Sequence, residues 1–379
     1  MKENKRNDDQ GGNKRDMVEK LFKLKENNTT VKTEVIGGIT TFMTMAYILA
    51  VNPTMLSAAG MDKTAVLMAT ALASFLGTLL MALLANYPFA LAPGMGLNAY
   101  FAYTVCGAMG YSWQVALAAV FVEGLIFIVL SLTNVREAIF NAIPLTLKKG
   151  VSAGIGLFIA FIGLQGAHLV VGNSSTLVSY VDFSGEFHTK GICAILALIG
   201  LFITAILYTK KVKGSILIGI LATWILGMIC QALGLYTVDA ENGSYSLYPV
   251  FAMTDFSALS LTFGQVAKAD FSNVSILNFI VVLFAFLFVD MFDTLGTLIG
   301  VATKADMLDE NGKLPRIKQA LLADAVATSA GAVLGTSTTT TFVESSAGVA
   351  AGARTGLASV VTGLLFLLSI FLAPVFCAI

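Results

Sequence analysis

The sequence predicts an all-α polytopic membrane protein, and three observations support this prediction. Of the 379 residues, 56% are hydrophobic and only 12% are charged, whereas a soluble protein carries about 25% charged residues. Apolar runs of membrane-spanning length recur along the chain. Two Gly-rich segments, at 91–105 and 336–354, interrupt these runs. Because lipid tolerates broken polar segments only where they line a protein cavity, they predict an internal binding site.

Composition also argues against several functional classes. The formal net charge is zero, so nothing indicates nucleic-acid binding. Four cysteines without CxxC spacing and two histidines predict neither a disulfide framework nor a metal site. No Walker or Rossmann glycine pattern supports ATP-driven transport. A membrane enzyme would need a nucleophile–base pair or a metal at membrane depth, and we find neither. We therefore expect no cofactor, no metal and no enzymatic activity.

Eleven crossings follow from the apolar runs and the two broken segments. Residues 1–33 are polar, contain no signal peptide, and are predicted to form a disordered tail. A polar loop, 236–273, separates the seventh crossing from the eighth. The crossings lie at about 35–57, 65–85, 91–105, 113–132, 150–171, 191–208, 215–235, 274–303, 320–334, 336–354 and 355–375.

The distribution of Lys and Arg predicts the orientation of the chain. The tail holds nine of them, and the loops after the fourth, sixth and eighth crossings hold most of the others. The alternate loops contain only the single residues Lys63, Lys190 and Lys268. This alternation requires that each broken segment count as a crossing. The positive-inside rule then predicts a cytoplasmic N-terminus, an extracellular loop at 236–273, and insertion in the plasma membrane.

An internal repeat predicts how the crossings are arranged. Residues 69–80 (ATALASFLGTLL) and 323–334 (ADAVATSAGAVL) match at five of twelve positions, including Gly77 and Gly331. A broken segment follows each copy. The copies are seven crossings apart, and an odd offset inverts the second one. This is the seven-span inverted repeat of secondary transporters, in which the two broken segments meet at the substrate. Such a repeat implies fourteen crossings, so we expect spans 12–14, the C-terminal part of the second repeat, to be missing.

Acidic residues inside the crossings are candidates for function. Asp290 and Asp293 are three residues apart on one helix face. Two carboxylates that close disfavour joint ionisation, which suits proton coupling. Glu344 lies within the tenth, broken crossing and is a third candidate for proton coupling. For Asp324, near the start of the ninth crossing, we expect a packing or interfacial role. The competing interpretation of Asp290 and Asp293 is structural, as caps or backbone partners.

Other polar and aromatic residues of the broken segments suit a planar heterocycle. Asn98 can both donate and accept hydrogen bonds. Thr341 and Ser345 offer hydroxyls near the start of a short helix, and Phe342 offers a ring face for stacking. Each of these residue types also serves in helix packing, so a structural role stays open for all four.

Four motifs carry a resemblance to a known family. TTFMTMAYILAVNP, APGMGLNAYFAY, VDMFDTLGTL and TTTTFVESSAGVAAGARTG resemble the purine permeases of the nucleobase–cation symporter (nucleobase–ascorbate transporter) superfamily, in the adenine/guanine/hypoxanthine branch. The resemblance extends from Thr33 to the last residue. It implies a core domain of spans 1–4 and 8–11, here 34–132 and 274–379, and a gate domain that begins with spans 5–7, here 133–235.

The resemblance also implies site residues. Spans 3 and 10 of that family each contain a short strand, and the two strands pair antiparallel beside the substrate. The family's eighth-span carboxylate falls on Asp293 if the motif glycine aligns with Gly296, and on Asp290 if it shifts by one turn. The tenth-span carboxylate falls on Glu344 and the third-span asparagine on Asn98. Against that family pattern, we expect spans 12–14 to be missing from this sequence.

These observations predict a secondary transporter that imports purine nucleobases with protons by an elevator-like movement of core against gate. Its expected partners are the purine base, protons and the lipid bilayer, with a homodimer as a further expectation. One alternative is a sulfate-type anion transporter with the same fold, although carboxylates at the site would repel sulfate. Another alternative is a truncated product that does not transport.

Overall fold

The computed structural model describes residues 18–133, 135, 144–212, 214–239, 246–249, 253–272, 274–310 and 313–376. Half of the predicted tail, residues 1–17, therefore lies outside the described residues, as does the C-terminus from 377. Eight helices in the described part are long and apolar enough to cross a membrane. The protein is a multi-pass membrane protein whose fold is mostly helical, as the composition predicted.

The helices follow the predicted crossings closely. Their bounds are α1 Val31–Met45, α2 Ile48–Ser57, α3 Lys63–Leu80, α4 Met95–Ala99, α5 Trp113–Leu132, α6 Leu145–Gly166, α7 Ile192–Thr209, α8 Ser215–Ala232, α9 Ile276–Lys304, α10 Ile317–Leu334, α11 Ser345–Ala350, α12 Gly356–Ser369 and α13 Ala373–Phe376. Wider π-helical turns at Met81–Ala85 and Tyr100–Ala108 extend α3 and α4, and another at Phe187–Gly191 precedes α7. The first crossing is divided into α1 and α2 near Tyr47.

One predicted crossing is displaced along the sequence. The fifth was expected at 150–171, but α6 spans Leu145–Gly166. The residues after it form a hairpin in which Val171–Asn173 (β2) pairs with Leu177–Ser179 (β3). The apolar pattern alone placed the helix five residues late, because Leu169, Val170 and Val171 continue the run after the helix has ended.

The two broken segments contain paired strands, as the resemblance implied. Strand β1, Leu91–Pro93, runs antiparallel to β4, Thr339–Thr341, with Ala92 opposite Thr340. Two flanking bonds extend the ladder, from the Gly94 N–H to the Thr338 carbonyl (2.9 Å) and from the Phe342 N–H to the Ala90 carbonyl (3.0 Å). Pairing satisfies backbone groups that would otherwise be costly in a membrane. A short helix follows each strand, α4 after β1 and α11 after β4.

The repeated glycines let each strand pack against its own long helix. A Cβ added at Gly77 would lie 3.2 Å from the Leu91 Cβ, and one added at Gly331 would lie 2.7 Å from the Thr339 Oγ1. Both approaches are tighter than ordinary side-chain contacts, so each position favours glycine. The weak sequence repeat therefore marks two equivalent packing positions, one under each strand.

Contacts at the two ends of the bundle agree with eleven alternating crossings. At one end, one cavity brings together Asn28, Tyr87, Arg316 and Arg354, which flank spans 1, 2, 9 and 11. At the other end, Asp62 in the loop between spans 1 and 2 lies beside residues 255–261 of the loop before span 8. We call the first the basic end and the second the opposite end. The broken segments return the chain from one end to the other.

Candidate functional site

A cavity of about 240 Å³ lies where the paired strands meet the short helices. It is bordered by the ends of β4, the starts of α4 and α11, the middle of α9, and the break between α1 and α2. The first turn of a helix leaves backbone N–H groups without helical partners. The lining residues are Tyr47, Gly94, Met95, Gly96, Asp293, Thr297, Thr341, Phe342, Val343 and Glu344.

Glu344 is held at the start of α11 by a tyrosine from the first crossing. The Tyr47 hydroxyl donates to the Glu344 Oε1 at 2.7 Å. Tyr47 itself is buried, with 9% of its surface exposed. Hydrogen bonds to an ionised acceptor are among the strong ones in proteins, so this contact fixes where the carboxylate sits.

Asp293 belongs to α9 and lines the same cavity. Its Oδ2 lies 3.5 Å from the point at which a Gly94 side chain would begin. The same added Cβ would lie 2.8 Å from the Thr340 Cγ2. Gly94 therefore allows the start of α4, the β4 strand and the Asp293 carboxylate to come together. Asp293 and Glu344 line one cavity, and their role as substrate carboxylates stays a prediction.

Asp290 lies behind the strands and not in the cavity. Its Oδ1 accepts from the Thr294 hydroxyl at 2.8 Å, and the same hydroxyl lies 3.1 Å from both oxygens of Asp324. Thr294 also lies 2.7 Å from the Thr340 hydroxyl of β4. All four side chains are fully buried. We call this group the aspartate cluster. Asp324 is fully buried in the core, which agrees with the packing role and not with the interfacial role of the two that were expected.

Two predicted substrate residues are not among those that line the cavity. The Asn98 Oδ1 accepts from the Ser337 hydroxyl, and its Nδ2 lies 3.4 Å from the Pro93 carbonyl. The Ser345 hydroxyl accepts from the Ala90 N–H at 2.9 Å. Both side chains are fully buried and brace the strand pair. Their geometry favours a positioning role over a direct contact with substrate.

The other two predicted residues, Thr341 and Phe342, line the cavity. The Thr341 hydroxyl is buried and has no hydrogen-bond partner in the part of the chain that the structure describes. It therefore remains available to a ligand. Phe342 is buried and presents the only aromatic ring in the lining besides Tyr47 among those described residues. In the same residues, no group of three His, Cys, Asp or Glu side chains is suited to hold a metal ion.

A larger apolar cavity of about 360 Å³ adjoins the site. Tyr47 and Met95 line both cavities. The larger one is bordered by α1, α2 and α4 on one side and by Ile162 and Ile220 of α6 and α8 on the other. It therefore lies along the boundary between the predicted core and the predicted gate. Tyr47 stands between this cavity and Glu344.

Residues 32–379 match the Permease family, Xan_ur_permease. The chain belongs to this family. It is 47% identical over 363 residues to the guanine/hypoxanthine permease PbuG of Bacillus subtilis, a match that covers 93% of this chain and 78% of PbuG. It is 43% identical over 358 residues to the adenine permease AdeP of Escherichia coli, which covers 94% of this chain and 75% of AdeP. The predicted resemblance to the purine branch of the nucleobase permeases is confirmed, and the chain is a permease and not an enzyme.

The permease also shares its fold with a solved structure. The transmembrane domain of the cyanobacterial bicarbonate transporter BicA matches with a TM-score of 0.60 at 16% identity, over 91% of this chain and 86% of that one. An identity this low shows the fold alone.

Sequence reasoning missed six lining residues of the permease, namely Tyr47, Gly94, Met95, Gly96, Thr297 and Val343. Tyr47 and Met95 stand in quoted motifs, but an isolated Tyr or Met in an apolar run gives no signal of its own. Thr297 stands four residues after Asp293, so the i, i+4 spacing on α9 was a signal that it shares that face.

Proposed function

We propose that the permease imports purine nucleobases together with protons. The observation that carries the proposal is the placement of two carboxylates, Asp293 and Glu344, around one cavity at the starts of two short helices. The names of PbuG and AdeP, which describe guanine/hypoxanthine and adenine permeases, support the substrate class.

The cavity is chemically complementary to a purine base. A purine carries N–H donors and ring N or carbonyl acceptors on its edges. Carboxylates accept hydrogen bonds from the N–H groups, whereas backbone N–H groups and the Thr341 hydroxyl donate to the acceptors. Phe342 offers a ring for packing against the base. Two carboxylates would repel sulfate, so the anion-transporter alternative is not favoured even though BicA shares the fold.

The aspartate cluster supports proton coupling. The Thr294 hydroxyl has one proton, yet Asp290 and Asp324 both lie within hydrogen-bond distance of its oxygen. A threonine hydroxyl donates to only one acceptor at a time. The second contact is a hydrogen bond only if that carboxyl carries a proton itself. The cluster therefore suits the storage of a proton, and Thr340 connects it to the strand that ends at the substrate cavity.

We propose an elevator-like movement of the core, 34–132 and 274–379, against the gate, 133–235. The apolar cavity along the boundary between them supports this division, because few polar contacts would have to break as one part slides on the other. The basic loops support a cytoplasmic N-terminus in the plasma membrane. A homodimer stays a prediction.

The proposal is tested by uptake into proteoliposomes that contain the purified protein. Labelled hypoxanthine, adenine, uracil and sulfate are offered in parallel, with vesicles that carry Asp293→Asn as the matched control. We expect saturable uptake of a purine base by the unmodified protein and none by the control. Uptake of sulfate, or uptake of no purine by correctly inserted protein, would contradict the proposal.

Coupling is tested by purine binding as a function of pH. If base and proton bind together, protonation favours binding, so affinity should rise as the pH falls and decline as the pH rises. Linkage is reciprocal, so purine binding should also draw protons from a weakly buffered solution. An affinity that does not change with pH would argue against proton coupling and would leave a facilitator or a sodium-driven carrier.

A further inference from the structure

A second polar cavity, of about 510 Å³, lies at the basic end. It is lined by residues that do not take part in the substrate site. Five segments meet there, represented by Asn28, Tyr87, Asp306, Arg316 and Arg354. The charged residues differ from those of the substrate cavity, since two arginines and one aspartate line this cavity where two carboxylates line the other. Its volume lies within the range of small-molecule sites, roughly 300–1,000 Å³.

The two arginines keep donors free for a ligand. Arg316 is exposed and lies over the Tyr87 ring, 5.3 Å from its centroid. Arg354 donates from Nη1 to the carbonyls of Val349 and Ala353, at 2.8 and 2.7 Å, which fixes the guanidinium and leaves its other N–H groups. Among the described residues, no carboxylate forms an ion pair with either arginine. A fixed guanidinium is well suited to bind an oxyanion.

A neighbouring carboxylate, that of Glu34, forms hydrogen bonds with backbone N–H groups and not with the arginine side chains. Glu34 is fully buried and accepts from the backbone N–H groups of Arg354 (2.8 Å) and Thr355 (3.2 Å), and from the Thr29 hydroxyl (2.8 Å). This carboxylate therefore holds the Arg354 backbone in place and is not paired with the guanidinium. The position of the Arg354 backbone is therefore fixed by a residue of α1.

Tyr87 supplies a third donor. Its ring stacks on Phe89 at 5.1 Å between centroids, and the side chain is 3% exposed. The oxygen of this buried hydroxyl interacts with the Arg316 guanidinium, which can only donate, so the hydroxyl proton has no acceptor in the part of the chain that the structure describes. Burial raises the pKa of Tyr87 to about 12, against the opposing effect of the Arg316 charge. The hydroxyl therefore keeps its proton at neutral pH and can donate it to an anion.

We propose that this cavity binds a phosphate monoester or diester. Two guanidinium groups and a tyrosine hydroxyl converge there, and guanidinium pairs match phosphate oxygens in geometry and charge. The carboxylate of Asp306 lines the same cavity and favours a ligand with a hydroxyl or amino group beside the phosphate. Both a soluble sugar phosphate or nucleotide and a phospholipid headgroup have this chemistry. The site is independent of the proposed transport function.

The test measures binding to the purified, delipidated protein in neutral detergent. The probes are adenosine 5′-monophosphate, ribose 5-phosphate and inorganic phosphate by calorimetry. In a second arm, the protein is placed in nanodiscs of phosphatidylcholine with and without phosphatidylglycerol. A higher thermal unfolding midpoint with phosphatidylglycerol indicates that its headgroup binds. We expect Arg316→Asn to weaken binding about tenfold or more, because it removes one of the two guanidinium groups. Asparagine is chosen because it tolerates the positive φ of 57° at this position. We expect Tyr87→Phe to weaken it a few-fold.

Lys318→Gln is the matched control. It removes the same charge two residues away, at an exposed position that does not line the cavity. If Arg316→Asn abolishes only the effect of phosphatidylglycerol on the thermal midpoint, the ligand is a lipid headgroup. If the substitution weakens only the binding of the soluble phosphate esters, the ligand is a soluble metabolite. Absence of both, or equal weakening by Lys318→Gln, would overturn the proposal. The thermal midpoint of each variant without ligand reports correct folding, and purine binding is measured separately, so failure here is distinct from failure of the transport proposal.

Discussion

The two broken segments have the same backbone plan and different chemistry. Each is an extended stretch, a three-residue strand and a short helix, packed under a glycine of the preceding long helix. Strand β1 reads Leu-Ala-Pro and has no side-chain hydroxyl or charge, whereas β4 is three threonines followed closely by Glu344. The first segment therefore contributes shape and backbone groups, and the second contributes the polar side chains.

The surroundings of the two strands extend this contrast. Thr338 donates to the Glu123 carboxylate at 2.8 Å, and Thr340 contacts the aspartate cluster. Both cavity carboxylates, Asp293 and Glu344, come from the second half of the chain. In the first half, the polar side chain in the cavity is Tyr47, which acts through Glu344. An inverted repeat thus fixes the geometry of a site without requiring that its two halves share the chemistry.

The largest expected effect is the loss of purine binding in Asp293→Asn. The substitution removes an acceptor for a ring N–H and presents a donor to it, so affinity should fall by more than about a hundredfold. Asp290→Asn is the comparison, because Asp290 lies in the aspartate cluster and not in the cavity. This substitution should affect folding or coupling more than recognition of the base. The measurement is equilibrium binding of labelled purine to both variants. Equal loss of binding in both would undo this assignment of roles.

Glu344→Gln should have the next largest effect. The substitution keeps the shape of the side chain but removes its charge and its capacity to accept a proton. Loss of one charge-assisted hydrogen bond costs roughly 1.5–3 kcal/mol, about ten- to a hundredfold in affinity. Uptake kinetics with protein confirmed in the membrane provide the test. Wild-type affinity in this variant would assign Glu344 a structural role and weaken the claim that the second segment carries the chemistry.

A smaller effect is expected for Tyr47→Phe. The ring still fills its place between the two cavities, but the hydroxyl that donates to Glu344 at 2.7 Å is gone. Affinity should fall by roughly three- to tenfold, in line with about 0.5–1.5 kcal/mol for one hydrogen bond. In a Glu344→Gln background the same substitution should have less effect, because the two residues act through one contact. Independent, additive losses would show that Tyr47 contacts the base itself.

The smallest effects should come from the hydroxyls that support the strands. Thr78 accepts from the Leu91 N–H at 2.9 Å and lies 3.2 Å from its carbonyl, whereas Thr328 donates only to the Thr339 carbonyl at 2.8 Å. Thr78→Val should destabilise the protein by about 1–3 kcal/mol, because it leaves a buried N–H unpaired, and Thr328→Val by about 1 kcal/mol. Thermal unfolding in detergent measures both. The reverse order would mean that β4 depends more on its long helix than β1 does.

Much of the fold was predictable from residue patterns. Apolar runs placed eight membrane-spanning helices within about four residues of their bounds, and Gly77 and Gly331 marked the repeat, because lipid leaves the backbone so few alternatives. The pairing of Asp293 with Glu344 in one cavity was predictable from the position of the broken segments. The surroundings of Asp324 and Asn98 were not predictable, because the direction of a side chain within a helix depends on neighbours from distant crossings. Thr294 holds Asp324, and Ser337 holds Asn98.

The pairing of β1 with β4 has a consequence for synthesis of the protein in the cell. Leu91 pairs with Thr341, so about 250 residues separate the two strands. At roughly 5–20 residues per second, the ribosome needs on the order of 10–50 s to produce the second strand after the first. During that interval the polar backbone of β1 lacks its partner, which is costly in hydrocarbon. The nascent chain therefore has to keep its third crossing in a hydrated or protein-lined environment, such as the translocation machinery, until its tenth crossing has been made.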